Sequence, residues 1–219
     1  MKTPFFIGLS GIAGSGKDTF FEFLNLELQK KDIKVKRYSF ADLLKDEVAP
    51  WTLQHYKIDA RDCSREDKEK IRPFLIFHGT YKRYTSNGRH WVNRLNGRIK
   101  CELEEDNNIP DIICITDIRY NHYPLDEVYW LKKEKKGVLI HINRYKEGKK
   151  RVAMIPEEEK HTPKVERAAD YVVNVNTVEK SKMPEVISAK ICPILRWLQT
   201  SKEVSEGGYE WQKSLTQNL

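Results

Sequence analysis

A glycine-rich segment near the start of the chain constrains its fold most strongly. Residues 11–19 follow the apolar run 5–9 and precede a stretch in which apolar residues recur with helical spacing. Glycines let the backbone turn tightly and point successive N–H groups inward, toward an anion at the positive end of the next helix. Gly11, Gly16 and Lys17 match the spacing G-x-x-x-x-G-K. The segment therefore predicts a strand, a phosphate-binding loop (P-loop) and a helix that together bind a nucleoside triphosphate.

The loop departs from the usual pattern at the position after its lysine. A Ser or Thr hydroxyl normally ligates Mg²⁺ there, but this chain has Asp18, followed by Thr19. A carboxylate beside triphosphate oxygens is repelled unless a cation lies between them, so we expect Asp18 to face the metal, directly or through water. The alternative is that Asp18 only caps the N-terminus of the helix and interacts favourably with the helix dipole. We expect these residues to hold the donor phosphates and the metal: Gly11, Gly14, Ser15, Gly16, Lys17, Asp18 and Thr19.

Composition limits the class of protein and its partners. The chain has 219 residues, of which 39% are apolar, enough to bury one core. No run of about 18 apolar residues occurs and no signal-peptide pattern opens the chain, so we expect a soluble, cytoplasmic protein with no membrane partner. The four cysteines form no C-x-x-C pair, which suggests neither a zinc site nor a redox motif. A formal net charge of +7 suits an anionic partner, such as a nucleotide or a nucleic acid.

Strand and helix patterns alternate along the rest of the chain, as in an α/β fold. The predicted strands are 5–10, 35–40, 111–116, 137–142 and 171–175. The predicted helices follow the P-loop, begin again near residue 41, and cover about 66–77, 91–105, 122–134 and 179–199. This alternation predicts a three-layer sandwich in which a mostly parallel, five-stranded sheet is flanked by helices.

We expect a single domain over residues 1–200, followed by a tail at 201–219. A helical insertion occupies about 51–108. Residues 143–168 are dense in charge and have no apolar periodicity, and we interpret them as a mobile, lid-like segment. The alternative is an ordinary solvated surface loop.

The predicted strand 111–116 ends in Asp117-Ile118-Arg119. Asp117 can hold Mg²⁺ through water, and Arg119, two residues further on an extended chain, points the same way. A cation beside a metal-binding carboxylate suits the binding of a second phosphate group. Guanine-nucleotide switches carry an N-K-x-D element, which this sequence lacks.

Four groups of residues together resemble the bacteriophage-type deoxynucleoside monophosphate kinases, over about residues 5 to 180. They are Ser15-Gly16-Lys17-Asp18-Thr19, Phe40-Ala41-Asp42 with Leu44-Lys45, His78-Gly79-Thr80 with Trp91-Val92, and Asp117-Ile118-Arg119. The resemblance implies a P-loop kinase fold and transfer of the γ-phosphoryl group of ATP to a nucleoside monophosphate, with Mg²⁺. Lys17 would hold the donor phosphates, Asp117 would orient the metal hydration shell, and Arg119 would clamp the acceptor phosphate.

The resemblance also suggests acceptor-binding residues within and near the insertion. Asp42 is expected near the acceptor sugar or base and Lys45 near its phosphate, although both can be ordinary charges in the first turn of a helix. Arg83 follows the segment near the acceptor, and Trp91 either stacks on a base or fills the core. Arg144 opens the lid-like segment and is expected to close over the transferring phosphoryl group. His161 and Glu166 are assigned no role.

Two alternatives remain open. Related P-loop families with Gly-Lys-Asp include phage kinases that act on hydroxymethyl pyrimidines in DNA, and the basic and aromatic residues from Tyr81 to Arg98 suit a nucleic-acid groove. The other alternative is a nucleotide-binding regulator that transfers no phosphate. The preferred base and sugar do not follow from the sequence, and neither does the oligomeric state, whether monomer or homodimer.

Overall fold

A computed structural model of the chain describes residues 3–105, 109–153, 156–177 and 182–200. Its sheet is built from β1 (Phe5–Ser10), β2 (Val35–Tyr38), β3 (Ile112–Ile118), β4 (Val138–Lys146), β5 (Lys149–Lys150) and β6 (Tyr171–Asn176). The parallel strands lie in the order β2-β3-β1-β4-β6, and the short β5 pairs antiparallel with the end of β4. The predicted mostly parallel sheet is confirmed, but it has six strands and not the predicted five, because β5 adds a short antiparallel strand.

Helices cover both faces of this sheet. They are α1 (Lys17–Gln29), α2 (Phe40–Tyr56), α3 (Arg65–Thr85), α4 (Arg89–Glu105), α5 (Glu127–Tyr129), which continues as a π-helical turn (Trp130–Glu134), α6 (Pro156–Arg167) and α7 (Met183–Thr200). On one face, α1 and α7 pack against the sheet through Phe20, Leu24, Ile187 and Ile191. On the other face, α2, α4 and the π-helical turn do so through Leu43, Val92, Leu95 and Leu131. The three-layer sandwich is therefore confirmed.

The insertion differs from the sequence prediction mainly in α3. This helix runs to Thr85, eight residues past the predicted end. It packs on α2 through Ile71 and Leu75, while Phe77, Tyr81 and Tyr84 on another face are exposed. Large apolar side chains on two faces obscure the helical pattern, because a surface helix is recognised by a single apolar stripe.

The lid-like segment 143–168 contains regular structure. Its first residues complete β4, Glu147 and Gly148 form the turn to β5, and α6 follows. Helix α6 is largely polar and buries Val165 in the core, which explains why no apolar periodicity marks it in the sequence. Whether the segment closes as a lid stays a prediction. The predicted tail at 201–219 lies outside the described residues.

Strand β3 places the predicted functional residues at the same edge of the sheet as the P-loop. All of its residues, Ile112–Ile118, are buried, as expected for a parallel strand covered on both faces. It pairs with β1, and its end lies beside the end of β1, where Ser10 pairs with Ile118. Carboxyl ends of parallel strands are the usual ligand-binding edge of such sheets.

Among the described residues, no helix combines the length and the apolar character needed to cross a membrane.

Candidate phosphate and acceptor site

The P-loop has a backbone path that requires glycine. Gly11, Gly14 and Gly16 have φ angles of +138°, +71° and +94°, in the region that other residues rarely adopt. A Cβ added at Gly11 would lie 2.5 Å from the carbonyl oxygen of Ile142 and 2.6 Å from Ser15 Oγ. The predicted role of these glycines in forming a tight turn is therefore consistent with the structure.

Lys17 is the first residue of α1 and is buried beneath the loop. Its ammonium donates hydrogen bonds to the carbonyl oxygens of Gly11, at 2.7 Å, and Ile12, at 2.9 Å. Burial, and next the charge of Arg119, lower the pKa of Lys17 to about 8, although nearby carboxylates oppose the change. An anion beside the ammonium would raise this pKa again, because it favours the charged form.

Other residues of the loop region fit a bound nucleotide and metal. Ser15 Oγ is buried and has no hydrogen-bond partner among the described residues, which leaves it available to a ligand. The side chain of Asp18 is 80% exposed at the start of α1, with a carboxylate oxygen 3.9 Å from Arg37 Nη2. Thr19 is partly buried one position further on. The N-cap of α1 is Gly16, and Asp18 lies within the first turn, so the suggested capping by Asp18 is wrong, although its charge suits the helix N-terminus. Oxygen donors at this position suit Mg²⁺, and the role of Asp18 toward the metal stays a prediction.

Asp117 connects the end of β3 to the start of α2. Its carboxylate accepts hydrogen bonds from Ser39 Oγ at 2.9 Å and from the backbone N–H groups of Phe40 and Ala41 at 2.8 Å each. Oδ2 accepts two of these bonds and Oδ1 accepts one. Because a carboxylate offers about four acceptor positions, Oδ1 retains one that can accept from a metal-bound water.

Arg119 pairs with a residue that the sequence analysis did not single out. Its Nη1 lies 2.6 Å from Oε1 of Glu158, the third residue of α6. Both carboxylate oxygens of Glu158 lie 3.1 Å from the backbone N of Ala13 in the P-loop. Glu158 thus connects the P-loop to Arg119, the residue predicted to bind the acceptor phosphate. It stands in a charged run of the sequence, Glu157-Glu158-Glu159, in which nothing distinguishes it from its neighbours.

Arg83, predicted to bind the acceptor, is buried and paired with the buried carboxylate of Glu127. Its guanidinium also lies 3.6 Å from the centre of the Tyr120 ring. Glu127 in turn accepts a hydrogen bond from the backbone N of Arg119 at 2.7 Å. Burial raises the pKa of Glu127, while the charge of Arg83 opposes this. The most direct structural effect of Arg83 is therefore to position the backbone at Arg119.

A cavity of about 200 Å³ lies between α2, α3, α4 and the end of β3. Its wall brings together four of the predicted acceptor residues, namely Lys45, Arg83, Trp91 and Arg119. Trp91 is buried, and its indole N–H donates to the carbonyl oxygen of Gly79 at 3.1 Å. Asp42 does not belong to this described lining, and its carboxylate lies 3.2 Å from Arg37 Nη1.

Two further cations line this cavity, Lys68 and Arg72 of α3. Burial, and then the charges of Lys45 and Arg72, lower the pKa of Lys68. No carboxylate of the described residues lies within 4.0 Å of the Lys68 ammonium, whereas Arg72 pairs with Glu69 at 2.5 Å. The sequence gives no means of selecting these two residues, because α3 begins with a dense mixture of charges.

A second cavity, of about 70 Å³, lies beside the first one and is lined in part by the P-loop residue Gly11. The two share Ile76, Arg119 and Tyr120 in their linings, and the smaller one also contacts Gly11 and Glu158. Arg119 therefore lies between the loop and the acceptor cavity. This is the position required of a group that contacts both donor and acceptor phosphates.

Two arginines of the segment 143–168 lie close to the glycines of the P-loop. Arg144 Nη1 lies 3.9 Å from the position of a Cβ at Gly16, and its Nε donates to Thr177 Oγ1 at 3.0 Å. Arg151, which the sequence analysis did not single out, donates from Nη1 to the carbonyl oxygen of Gly14 at 3.2 Å. Arg144 thus lies near the P-loop, and its predicted closure over the transferring phosphoryl group stays a prediction.

The sheet order and the loop geometry define an α/β protein with a glycine-rich loop between its first strand and its first helix. No known protein-family model matches the sequence, and a search of curated proteins also finds no match. Three kinases are among the similar solved structures, each 13% identical in sequence. Shikimate kinase from Acinetobacter baumannii, in complex with shikimate, aligns over 92% of this chain and 96% of its own, with a TM-score of 0.47.

The other two are less similar in structure. Dephospho-CoA kinase from Campylobacter jejuni aligns over 88% of this chain and 96% of its own, with a TM-score of 0.43. An unliganded sugar kinase from Janibacter sp. aligns over 92% and 98%, with a TM-score of 0.39. Similarities this low do not identify an activity, so the proposed function depends on the site itself.

Proposed function

We propose that the protein transfers the γ-phosphoryl group of ATP to a deoxynucleoside or ribonucleoside monophosphate and so forms the diphosphate. The observation that carries this proposal is the set of cations in the acceptor cavity: Lys45, Lys68, Arg72 and Arg119. The carboxylate that lines the same cavity, Asp117, already accepts three hydrogen bonds. Carboxylates lie within 4.0 Å of Lys45, Arg72 and Arg119. Lys68 has no such partner among the described residues and is repelled by Lys45 and Arg72, and an anionic ligand relieves this repulsion. An acceptor that already carries a phosphate supplies that anion.

In this proposal the P-loop binds the phosphoryl donor, ATP. Its backbone N–H groups and the Lys17 ammonium hold the phosphates of ATP, and Ser15 Oγ lies among them. Asp18, Thr19 and Asp117, the last through water, are the residues that would hold Mg²⁺, which when bound neutralises charge on the donor phosphates. Phosphoryl transfer needs little covalent assistance from the protein, because alignment and charge stabilisation supply most of the acceleration.

The cavity of about 200 Å³ between α2, α3 and α4 binds the acceptor, the nucleoside monophosphate. Lys45, Lys68 and Arg72 attract the acceptor phosphate, and Trp91 forms part of the apolar wall against which the nucleoside lies. Arg119 reaches toward both substrates, and a planar guanidinium can bind phosphate oxygens in a bidentate manner. Arg83 acts through Glu127 as a positioning residue, and Arg144 contacts the donor from the opposite side of the loop.

A matched pair of acceptors tests this proposal. Radiolabelled ATP with Mg²⁺ is incubated with each nucleoside monophosphate and with the corresponding nucleoside. We expect label in the diphosphates and at least a hundredfold preference for monophosphates over nucleosides, since the nucleosides lack the anion. Equal phosphorylation of the two, or transfer to nucleosides alone, would contradict it. ATP binding without transfer to any acceptor would favour a non-catalytic regulator instead.

One observation supports a second candidate, a kinase that modifies a hydroxymethyl pyrimidine base in DNA. Three aromatic side chains of α3 are exposed, Phe77 by 64%, Tyr81 by 53% and Tyr84 by 70%, and the first two rings stack with centroids 6.0 Å apart. Exposed aromatic rings beside cations are typical of surfaces that bind single-stranded nucleic acid. Adding hydroxymethylated DNA to the same assay distinguishes the candidates, because label would then enter the polymer and not the free monophosphates.

A further inference from the structure

Glu158 contacts the two groups that the proposed function assigns to phosphate. Its side chain is 9% exposed, and both carboxylate oxygens lie 3.1 Å from the backbone N of Ala13. The same carboxylate lies 2.6 Å from Arg119 Nη1. An amide of an anion-binding loop and a guanidinium are the donors that phosphate oxygens require.

These donors cannot serve Glu158 and a phosphate fully at the same time. The Ala13 amide has a single hydrogen, which already points between the two carboxylate oxygens. A phosphate oxygen placed against it would also lie beside the negative charge of Glu158. The two anions would repel strongly in this nine-tenths buried position, because few water molecules screen them.

We propose that Glu158 is an internal anion that occupies a donor phosphate position, and that ATP binds by displacing it. The proposal rests on the proposed function, since it takes ATP as the donor. Displacement also releases Arg119 from its ion pair, so that its guanidinium can turn to the acceptor phosphate. Donor binding thereby prepares the acceptor site.

Helix α6 is held in a way that allows its first turn to move. Its C-terminal half is anchored, because Val165 lies in the core and Glu166 bonds to Asn143 Nδ2 at 2.7 Å and to Lys150 Nζ at 2.8 Å. In its first turn, the contact of Glu158 with Ala13 and Arg119 ties the helix to the P-loop. Loss of that contact frees the start of the helix and leaves its end in place.

The test measures ATP affinity and thermal stability in the same variants of the full chain. Glu158→Gln keeps the size of the side chain and removes its charge. Glu159→Gln is the matched control, since it removes an equal charge from the neighbouring exposed position of α6. Glu158→Asp keeps the charge but shortens the reach by about 1.5 Å, the length of one C–C bond. MgATP binding is measured by calorimetry, and the melting temperature is measured without nucleotide.

We expect Glu158→Gln to bind MgATP roughly tenfold more tightly than the wild type, as the loss of one charge-assisted contact predicts. Glu158→Asp should bind severalfold more tightly, and Glu159→Gln should stay within about twofold of the wild type. The melting temperature of Glu158→Gln should fall, because the contact with the loop is weakened. A damaged site would instead lose affinity together with stability, so these opposite changes distinguish displacement from a structural role.

Unchanged or weaker ATP binding by Glu158→Gln would overturn the inference, and so would an equal gain in Glu159→Gln. If the wild type transfers phosphate to monophosphates while Glu158→Gln shows unchanged affinity, the inference fails and the proposed function stands. If neither protein binds ATP, the inference fails together with the donor half of the proposed function. If Glu158→Gln binds ATP more tightly but no acceptor is phosphorylated, the inference stands and the transfer activity does not.

Discussion

The pH dependence of ATP binding tests the role of Lys17 directly. Burial and the charge of Arg119 lower the pKa of this lysine to about 8, from a usual value near 10.4. About nine-tenths of the side chain is then protonated at pH 7 and about one-tenth at pH 9. Bound triphosphate favours the ammonium form, so binding above pH 8 requires uptake of a proton. The dissociation constant for MgATP should therefore be nearly constant below pH 7 and rise about tenfold between pH 7 and pH 9.

Two variants test whether the titration of Lys17 causes the pH dependence of ATP binding. Arg stays charged throughout this range, so Lys17→Arg should bind more weakly overall but show a flat profile. Arg119→Gln removes the second largest cause of the lowered pKa, so the rise should begin at a higher pH than in the wild type. Calorimetry in two buffers of different ionisation enthalpy measures both affinity and proton uptake. A flat wild-type profile from pH 7 to pH 9 with no proton uptake would refute this reasoning.

Three further predictions concern the acceptor cavity, the β3–α2 connection and the loop. Lys68→Met should raise the KM for a monophosphate about tenfold or more in steady-state assays. It should not lower the melting temperature, since it removes a cation that neighbouring cations repel. The control is Lys70→Met, which removes an ammonium that pairs with Asp67 at 2.9 Å and should change the KM less than twofold. Asp117→Asn should lower the free energy of unfolding by about 1.5 to 3 kcal/mol in urea titrations, because the carboxylate accepts three hydrogen bonds; a loss below 0.5 kcal/mol would be evidence against this structural role. Gly11→Ala should abolish ATP binding in calorimetry, because its Cβ would lie 2.5 Å from the carbonyl oxygen of Ile142. If this variant bound ATP as tightly as the wild type, the loop could not bind ATP in the geometry described.

The sheet and the P-loop could be predicted because their signals are local. Continuous apolar runs mark buried parallel strands, and the glycine spacing marks the turn after β1. Asp117 and Arg119 can be singled out in the sequence because they directly follow a recognisable apolar run. Their position beside the loop then follows from the general arrangement of parallel sheets.

The missed residues lie in segments where charge is dense and position depends on tertiary packing. Lys68 and Arg72 face the cavity because α3 packs on α2 through Ile71 and Leu75, and no local feature records that orientation. Glu158 likewise reaches the P-loop because β4 and α6 return the chain to it after more than a hundred residues. Arg83 can be singled out in the sequence, but its pairing with Glu127 cannot be predicted there, because it involves a residue 44 positions away.

The two anion sites differ in how their charges are balanced before substrates bind. At the donor site, Glu158 already compensates Arg119 and the Ala13 amide. At the acceptor site, Lys68 has no carboxylate within 4.0 Å among the described residues. An acceptor phosphate therefore gains the whole attraction of the Lys68 ammonium, whereas ATP gains only the difference between its phosphates and the carboxylate it displaces. A triphosphate carries several charges and Glu158 carries one, so the exchange still favours ATP, and donor binding releases Arg119 from its ion pair with Glu158.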